Sequence, residues 1–379
     1  MDDSASHELP QNDFDELMMR SALDLARRGA GWVSPNPMVG TIIVGPDRQV
    51  IAEGWHERYG EAHAEVNALA RVGGADVSQA TMYVTLEPCS HFGKTPPCAE
   101  ALVLSGLKRV VVAMRDPNPI VSGRGNRLLR EAGLEVVVGV CESEARRLNE
   151  SYIHRMSTGL PFVTIKMAQS LDGFTALPSG ESKWITGDVS RKRVHILRAL
   201  NDAVMVGTRT AIMDNPKLNL RYNVEGRQPL RVTLDRELAI PEEHHLVADD
   251  LRERTVIFTD EGLSESDRAR RLRARGVTVY GLPVTGHELH LEELLRRLAD
   301  DGANSVLVEG GSGLAAALIR EDLAQKLLLF VAPKLLGAGF GSFPGLGVHT
   351  LADARMITFS NVEPLGEDLA IEAYVQIRT

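Results

Sequence analysis

A histidine, a glutamate and two cysteines are the candidate reactive residues in the first half of the chain. His63 and Glu65 form an H-x-E pair, and Cys89 and Cys98 follow as two of only three cysteines in 379 residues. One imidazole and two thiolates are suitable ligands for a tetrahedral Zn²⁺, and three protein ligands leave the fourth position to water. The combination predicts a catalytic zinc site with His63, Cys89 and Cys98 as its ligands.

Glu65 is predicted to carry protons in this zinc site. Zinc lowers the pKa of a bound water towards neutrality, and a nearby carboxylate that is not a ligand can move a proton from that water to a leaving group. Residues two apart on a regular helix do not face each other, so His63 and Glu65 can share a site only at an irregular helix start. Pro97 before Cys98 is typical of a first helical turn, where the helix dipole favours a thiolate.

Two other interpretations of these residues stay open. Cys89 and Cys98 can be small buried hydrophobic residues, with His63 as a hydrogen-bonded polar residue beside them. A structural zinc would need a fourth protein ligand, which His91 could supply, and the chain would then be a nucleotide-binding regulatory module.

The first half resembles the zinc-dependent cytidine deaminase superfamily, whose signature is H-x-E followed by P-C-x-x-C. Eight residues separate the two cysteines here instead of two. With Ser34-Pro-Asn-Pro-Met-Val-Gly40 upstream and Arg115-Asp-Pro-Asn-Pro119 downstream, this spacing is similar to that of the pyrimidine deaminase of riboflavin biosynthesis. The resemblance implies a cytidine-deaminase-like three-layer domain that releases ammonia hydrolytically, with Glu65 as the catalytic residue. It also implies a substrate pocket lined by Asn36, His56, Lys94, Asp116 and Asn118.

A glycine-rich turn in the second half predicts a nucleotide site. Ser305–Glu309 has the pattern of a strand, and Gly310–Leu318 continues as a turn and helix with a G-x-G-x-x-A sequence from Gly311. Such a turn can hold phosphates with backbone N–H groups at a helix N-terminus. A Rossmann domain has this turn after its first strand and an acidic residue about 20 positions later, whereas Lys334 stands near that spacing here. The alternative is a close strand–helix crossing that requires glycine.

Several segments of the second half resemble the reductase of riboflavin biosynthesis, a family with a dihydrofolate-reductase-like fold: 164–173, 180–186, 207–216, 308–311 and 332–337. The resemblance implies hydride transfer from NADPH to C1′ of the ribosyl group, with Lys166 or Glu309 as the proton donor. It implies contacts with NADPH at Ala168, Trp184, Thr210, Asp214, Gly311, Ser312, Gly313, Leu314, Ala315, Ala316 and Ala317. It implies contacts with the substrate at Lys166, Ser182, Arg198, Leu218, Arg221 and Glu309, with both arginines suited to bidentate phosphate binding.

The elements that must position these residues form two α/β halves, because short apolar runs alternate with helical periodicity throughout. Strands are predicted at 39–44, 50–54, 81–86, 109–114, 135–138, 162–167, 203–206, 230–234, 255–258, 277–280, 305–308 and 326–331. Helices are predicted at 14–28, 64–72, 97–105, 124–132, 142–156, 264–275 and 291–300. Turn residues at 157–161 favour a boundary near residue 159. The expected organisation is a zinc-dependent pyrimidine deaminase domain at 1–159 and an NADPH-dependent reductase domain at 160–379.

Composition limits the classes of partner. The chain has 51 acidic and 42 basic residues, a net charge of −9 and 5% aromatic residues, which argues against nucleic acid. No apolar run approaches the roughly 18 residues that span a bilayer, and no signal peptide is expected. We therefore expect a cytoplasmic enzyme with a small phosphorylated pyrimidine as substrate, and the resemblance implies a homo-oligomer. The alternative function is a nucleic-acid base deaminase with an accessory binding domain.

Overall fold

The computed structural model describes residues 9–90, 97–118, 122–286 and 288–376. Contacts divide the chain into two units, Met1–Thr158 and Gly159–Thr379. The zinc-site candidates lie in the first unit and the nucleotide-site candidates in the second. None of the helices in the described ranges is long and apolar enough to cross a membrane.

The first unit is built on a sheet that, in its described part, has five strands in the order β2-β1-β3-β4-β5. β1 runs antiparallel to β2 and β3, while β3, β4 and β5 are parallel. The elements are α1 (Gln11–Arg27), β1 (Gly40–Val44), β2 (Val50–Trp55), α2 (Ala64–Ala70), β3 (Thr81–Val84), α3 (Cys98–Ser105), β4 (Arg109–Val112), α4 (Arg124–Glu131), β5 (Glu135–Val138), α5 (Glu142–Leu148) and α6 (Glu150–Thr158).

Alternating side chains of this sheet enter two separate apolar cores, because successive residues of a strand point to opposite faces. Ile42 and Tyr83 pack on one side with residues of α1 and α5, while Ile43 and Met82 pack on the other with residues of α2, α3 and α4. Helices therefore cover both faces of the sheet, and the predicted three-layer α/β arrangement is confirmed.

The prediction of one helix over 142–156 is wrong, because Asn149 separates α5 from α6. Asn149 is buried, and its side chain accepts a hydrogen bond from the backbone N–H of Met38 at 2.8 Å and donates one to the Met38 carbonyl at 2.9 Å. Its backbone adopts φ −106° and ψ 24°, outside the helical range. A partner 111 residues away in the chain therefore sets the position of the break.

The second unit contains a sheet whose described strands follow the order β11-β10-β9-β8-β14-β6-β15-β18-β17. The strands from β11 to β15 are parallel, and β18 and β17 add an antiparallel edge. The elements are β6 (Phe162–Ser170), β7 (Phe174–Ala176), α7 (Asp188–Leu200), β8 (Ala203–Gly207), α8 (Thr208–Asp214), β9 (Leu230–Leu234), α9 (His245–Ala248), β10 (Thr255–Asp260), α10 (Asp267–Ala274), β11 (Thr278–Leu282), β12 (Val284–Thr285), β13 (Glu288–Leu289), α11 (Leu291–Asp300), β14 (Ser305–Glu309), α12 (Ser312–Arg320), β15 (Lys326–Ala332), β16 (Phe340–Gly341), β17 (Ile357–Leu365) and β18 (Asp368–Val375).

Parallel strands end at one edge of a sheet, and ligands of open α/β sheets bind in the crevice outside that edge. In the second unit, β14 ends at Glu309 and β8 ends at Gly207, beside the glycine-rich turn. This edge therefore holds the residues that the sequence marked as a nucleotide site.

Asp15 of α1 accepts hydrogen bonds from Gln11 Nε2 at 2.8 Å, Tyr83 Oη at 2.7 Å and Arg109 Nη2 at 2.7 Å, and its carboxylate is buried. Burial raises the pKa of Asp15, but these hydrogen bonds and the Arg109 charge outweigh burial, so the pKa lies below its ordinary 3.8. A carboxyl group with a lowered folded pKa stabilises the fold above its unfolded pKa, and this stabilisation is lost as the pH falls through the folded value.

We expect Asp15→Asn to lower the free energy of unfolding of the first unit by about 3 kcal/mol at neutral pH, since it breaks a buried ion pair. The difference from wild type should shrink below pH 3.8. Urea unfolding at several pH values measures both effects. The matched control is Glu135→Gln, because Glu135 binds the same Arg109 at 3.0 Å but has a 60% exposed side chain. A loss above about 1 kcal/mol in the control would contradict this interpretation.

Candidate active sites

Three donor atoms converge at the predicted zinc site. His63 precedes α2, Cys89 follows β3, and Cys98 is the first residue of α3. His63 Nδ1 lies 3.6 Å from Cys89 Sγ and 3.2 Å from Cys98 Sγ, and all three donors lie within 4.8 Å of one another. One metal ion can therefore contact all three, and Nδ1 is the imidazole nitrogen that faces it.

A soft divalent metal binds thiolates, and the two cysteines differ in how readily they form one. The hydrogen bond to Cys89 and burial raise the pKa of Cys98, so a metal must displace the proton of its thiol. Hydrogen bonds from Cys98 outweigh burial and lower the pKa of Cys89 to about 4, and the Cys98 backbone N–H lies 3.2 Å from Cys89 Sγ. The donor set thus fits Zn²⁺. The alternative of a structural zinc depends on His91, which lies outside the described residues.

Glu65 lies beside His63 because α2 begins between them. His63 has an extended backbone with ψ 164°, and the helix starts at Ala64, so the geometric condition on the H-x-E pair is met. Glu65 is 3% exposed, and burial raises its pKa to about 7. A carboxyl group with this pKa can both take up and release a proton near neutral pH.

A pocket of about 390 Å³ is lined by Glu65 and by two of the metal donors, His63 and Cys89. Four of the five predicted deaminase substrate residues line it: Asn36, His56, Asp116 and Asn118. They come from loops after α1, β2 and β4. Lys94, the fifth, lies outside the described residues.

His56 orients Asn36 towards this pocket. Its Nδ1 lies 3.0 Å from the Ala62 carbonyl oxygen, which can only accept, so Nδ1 carries the proton. Its Nε2 therefore accepts from Asn36 Nδ2 at 3.1 Å. Burial lowers the pKa of His56, which keeps the ring neutral, and the ring makes an edge contact with His63 at 5.4 Å between centroids.

Glu87 fixes the pocket loop that carries Asp116, and sequence reasoning missed it. Its buried carboxylate accepts from the backbone N–H groups of Asp116 at 3.3 Å, Gly123 at 2.9 Å and Asn126 at 3.1 Å. The first turn of α4 also approaches the chain beside Glu87 so closely that a Cβ on Gly125 would lie 2.0 Å from the Pro88 carbonyl oxygen. The one sequence feature that could have indicated Glu87 is its position two residues before the predicted metal ligand Cys89.

Tyr152 of α6 is a second missed residue, and no motif marks it. It lines the pocket and donates to Asp116 Oδ1 at 3.2 Å. Burial, followed by the Asp116 charge, raises the pKa of Tyr152, so the hydroxyl stays protonated and orients the carboxylate.

We expect Tyr152→Phe to raise the KM of deamination about threefold to tenfold with a smaller effect on kcat, since one hydrogen bond that orients Asp116 is lost. Initial rates of ammonia release measure this effect, and the reductase rate of the same chain should not change. Tyr280→Phe is the matched control, because it removes a tyrosine–aspartate hydrogen bond of equal length, to Asp301, in the other unit. Equal KM values for the two variants would show that Tyr152 does not act through the pocket.

A buried charged cluster in the second unit brings together three predicted substrate residues. Arg198 donates from Nε and Nη2 to the two oxygens of Glu309 at 2.6 and 2.8 Å, and Lys166 is the β6 partner of Glu309 in the sheet register. Burial lowers the pKa of Lys166, against the opposing effect of Glu309. Burial raises the pKa of Glu309, but the Arg198 charge outweighs it and the net shift is downward. Arg198 therefore uses Nε and Nη2 to bind Glu309, whereas the sequence predicted that its guanidinium would make a bidentate contact with the substrate phosphate.

The glycine-rich turn has the predicted strand–turn–helix form between β14 and α12. Gly310 and Gly311 have φ of 68° and 79°, a region that favours glycine. At Gly313 a Cβ would meet nothing within 4 Å, so strand–helix packing does not require glycine there. Open space at Gly313 leaves room for a ligand at the start of the helix, and Thr210 lies beside Gly310 and Gly311.

The predicted contacts along α12 differ in what they can offer a ligand. Ser312, Gly313 and Leu314 form the first turn, whose amides have no acceptor within the helix. The amide of Ala315 already donates to the Gly311 carbonyl at 3.0 Å, and the side chains of Ala315 and Ala316 are buried. The first three positions are therefore suited to direct phosphate contact, and Ala315–Ala317 support them from the helix interior.

The other predicted reductase residues lie on surrounding segments. Ala168 pairs with Phe330 across β6 and β15, and Asp214 ends α8 within 3.8 Å of Lys183 Nζ. Trp184 is 64% exposed and stacks against the Arg191 guanidinium, while Ser182 is half-buried two residues earlier.

Leu218 and Arg221 belong to a loop that sequence reasoning did not connect with Arg198. Leu218 is buried with φ 49°, and Arg221 is exposed. The Arg198 guanidinium donates to the Asn219 carbonyl at 2.9 Å. His195 Nδ1 lies 3.1 Å from both the Asn219 carbonyl oxygen and the Arg221 amide nitrogen, and its tautomer decides which of the two it binds. Arg198 and His195 of α7 therefore both fix this loop.

Family comparisons cover both units. Residues 161–371 match the RibD C-terminal domain family, and residues 12–114 match the cytidine and deoxycytidylate deaminase zinc-binding region. The riboflavin biosynthesis protein RibD of Bacillus amyloliquefaciens is 41% identical over 362 residues, which cover 95% of this chain and 96% of the relative. The protein of the same name from Escherichia coli (strain K12) is 40% identical over 374 residues, covering 94% and 98%.

Solved structures give the same result. Acinetobacter baumannii RibD, form 1, has a TM-score of 0.87 at 38% identity and covers 97% of this chain and 100% of its own. A Thermotoga maritima protein, described as a diaminohydroxyphosphoribosylaminopyrimidine deaminase/5-amino-6-(5-phosphoribosylamino)uracil reductase, has a TM-score of 0.86 at 37% identity with the same coverage. The fold class expected from the sequence is confirmed for both units.

Proposed function

Because this chain belongs to the RibD family of riboflavin biosynthesis proteins, we propose that its two units act in succession on one phosphorylated pyrimidine. It is a bifunctional enzyme of riboflavin biosynthesis with a zinc-dependent deaminase and an NADPH-dependent reductase. The proposed deaminase substrate is 2,5-diamino-6-ribosylamino-4(3H)-pyrimidinone 5′-phosphate, and the reductase then converts the ribosyl group of the product to ribityl. This proposal is supported by the activities in the name of the Thermotoga maritima relative.

The observation that carries the deaminase assignment is the convergence of His63, Cys89 and Cys98 at a pocket that His63, Cys89 and Glu65 line. Zinc held by these ligands supplies Lewis-acid activation of water at neutral pH. Water adds to the ring carbon that bears the amine, the carbon–nitrogen bond breaks, and ammonia leaves. Glu65 takes the proton from the attacking water and delivers it to the departing nitrogen.

The polar pocket residues orient the substrate ring for this reaction. Asn36, held by the neutral His56, offers amide groups to the ring, and Asp116 and Asn118 offer hydrogen-bonding groups from the opposite loop. Fixing these groups before the substrate binds lowers the entropic cost of reaching the reactive geometry.

In the reductase, NADPH supplies the hydride that adds to C1′ of the ring-opened sugar. The amides of Ser312, Gly313 and Leu314 are suited to bind its phosphates. Of the two candidate proton donors, Lys166 is favoured, because Arg198 keeps Glu309 as a carboxylate while burial makes the Lys166 ammonium more acidic. Glu309 then holds Lys166 in position as its charged neighbour.

The net charge of −9 argues against nucleic acid as the partner. A small anionic metabolite would be bound by local basic groups such as Lys166. The near-full-length match to riboflavin biosynthesis proteins does not favour the alternative of a nucleic-acid base deaminase. We propose a cytoplasmic homo-oligomer, on the basis of the family resemblance.

The test is a two-stage assay of the purified, zinc-replete chain with the proposed pyrimidinone. Ammonia release is measured first, and NADPH oxidation is measured after NADPH is added. We expect ammonia without NADPH, followed by NADPH oxidation that depends on prior deamination. Ammonia without NADPH oxidation would contradict the reductase assignment, and the absence of both signals would contradict both.

A further inference from the structure

The segment Ala332–Gly337 resembles the reductase family in sequence but contains none of the residues that the resemblance places in contact with NADPH or substrate. It begins at the last residue of β15 and lies against the turn after β6. The Asp172 carboxylate accepts from the backbone N–H groups of Leu336 at 3.0 Å and Gly337 at 2.7 Å, and the Lys334 carbonyl accepts from the Leu171 N–H at 2.8 Å. These hydrogen bonds fix the backbone at Lys334 and at the residues that follow it.

The Lys334 side chain extends from this fixed segment to a third one. Its ammonium donates to the carbonyl oxygens of Trp184 at 2.9 Å and Ile185 at 2.7 Å. Hydrogen bonds from a charged donor are stronger than those between neutral groups. The Lys334 side chain thereby joins segments 332–337 and 180–186, and the Asp172 carboxylate joins segment 164–173 to them.

The position of Trp184 depends on this backbone attachment. Its ring is 64% exposed and contacts the Arg191 guanidinium, so it has little apolar packing to orient it. Lys334 binds the carbonyls of Trp184 and of the next residue, which restricts the backbone that carries the ring.

We propose that Lys334 is a positioning residue of the reductase, which holds the Trp184 segment in the conformation that NADPH binds. The inference rests on the proposed contact between Trp184 and NADPH. Lys334 acts through the backbone of Trp184 and Ile185 and takes no part in hydride or proton transfer.

The chain offers a direct optical readout, because Trp184 is the only tryptophan after residue 159. Trp32→Phe and Trp55→Phe together leave it as the sole tryptophan reporter. In this background, NADPH titration followed by Trp184 quenching gives the Kd of the cofactor, and acrylamide quenching gives the accessibility of the indole.

We expect Lys334→Met to raise the Kd and the KM for NADPH about tenfold, with kcat lowered less, and to increase acrylamide quenching of Trp184. Lys334→Arg should restore most of the NADPH affinity, because a guanidinium can donate to both carbonyls. Deamination should keep its wild-type rate in both variants, which makes the first unit an internal control for folded protein.

Each result decides between the proposals. Wild-type NADPH affinity and unchanged Trp184 quenching in Lys334→Met would overturn the role of Lys334 while the reductase function stands. If the unmodified chain itself does not bind NADPH, the proposed reductase function fails, and the inference fails with it. If Lys334→Met unfolds early, Lys334→Arg is compared with Lys334→Gln: tighter NADPH binding by the arginine variant supports the inference, and equal affinities overturn it.

Discussion

Glu65→Gln lowers the deaminase kcat by about 10²–10⁴-fold, the range attributed to a positioned general acid–base group. Glutamine keeps the size and polarity of the buried side chain but cannot take up the proton of the attacking water. Ammonia release from the pyrimidinone substrate measures the loss. The reductase unit of the same chain, supplied with deaminated substrate, should oxidise NADPH at the wild-type rate.

Two controls separate proton transfer from damage to the metal site. Zinc stoichiometry of Glu65→Gln should match wild type, because His63, Cys89 and Cys98 are unchanged. Glu57→Gln is the matched substitution, since Glu57 is a half-exposed carboxylate of the same unit that pairs with Arg71 at 2.6 Å. Deamination within tenfold of wild type in a zinc-loaded Glu65→Gln chain would show that Glu65 does not carry the proton.

Arg198→Met destabilises the second unit by about 3 kcal/mol at neutral pH and lowers the reductase kcat/KM about 100-fold. The guanidinium is 8% exposed and the Glu309 carboxylate 12%, so the variant leaves a buried charge without its bidentate partner. The loop around Asn219 also loses a hydrogen bond, which displaces the Leu218–Arg221 segment. Urea unfolding followed by Trp184 emission in the Trp32→Phe/Trp55→Phe background measures the stability, and NADPH oxidation measures the rate.

The pH dependence of this variant has a defined sign. In wild type the folded pKa of Glu309 lies below its ordinary 4.5, so the carboxylate stabilises the fold above that pH and the stabilisation is lost as the pH falls through the lowered value. Without Arg198, burial raises the pKa of Glu309, so the difference between wild type and Arg198→Met should decrease on acidification, as Glu309 is protonated first in the variant and then in wild type. A difference that grows on acidification would contradict the ion pair as its source.

The double variant Arg198→Met/Glu309→Gln separates the two effects of the pair. Removing both charges abolishes the buried unpaired carboxylate, so much of the lost stability returns. Reductase activity should stay low, because Lys166 loses its charged neighbour and the Asn219 loop stays displaced. Recovery of activity together with stability would mean that Arg198 supports only the fold.

The zinc site was predictable because its residues lie close together in the sequence. His63, Glu65, Cys89 and Cys98 are rare residue types at short spacing, and Pro97 correctly indicated the start of α3 at Cys98. The central strands were predictable for a similar reason, since runs such as Ile42–Val44 are continuously apolar and buried.

Residues whose roles depend on distant partners escaped sequence reasoning. Asn149 breaks a helix through Met38, and Tyr152 reaches Asp116 from another element. His195 supports the Arg221 loop through a ring nitrogen and the loop backbone. The edge strand β17 was also missed, because most of its side chains are exposed and its sequence lacks an apolar run.

Glu87 connects the metal site with the loop that contacts the substrate. It stands two residues from Cys89, and its carboxylate holds the loop that presents Asp116 to the substrate. A shift that a metal imposes on Cys89 can therefore reach the loop that carries Asp116, and a shift that the substrate imposes on that loop can reach Cys89. Thermodynamic linkage makes such coupling reciprocal, so the factor by which the metal changes the affinity for substrate equals the factor by which the substrate changes the affinity for metal.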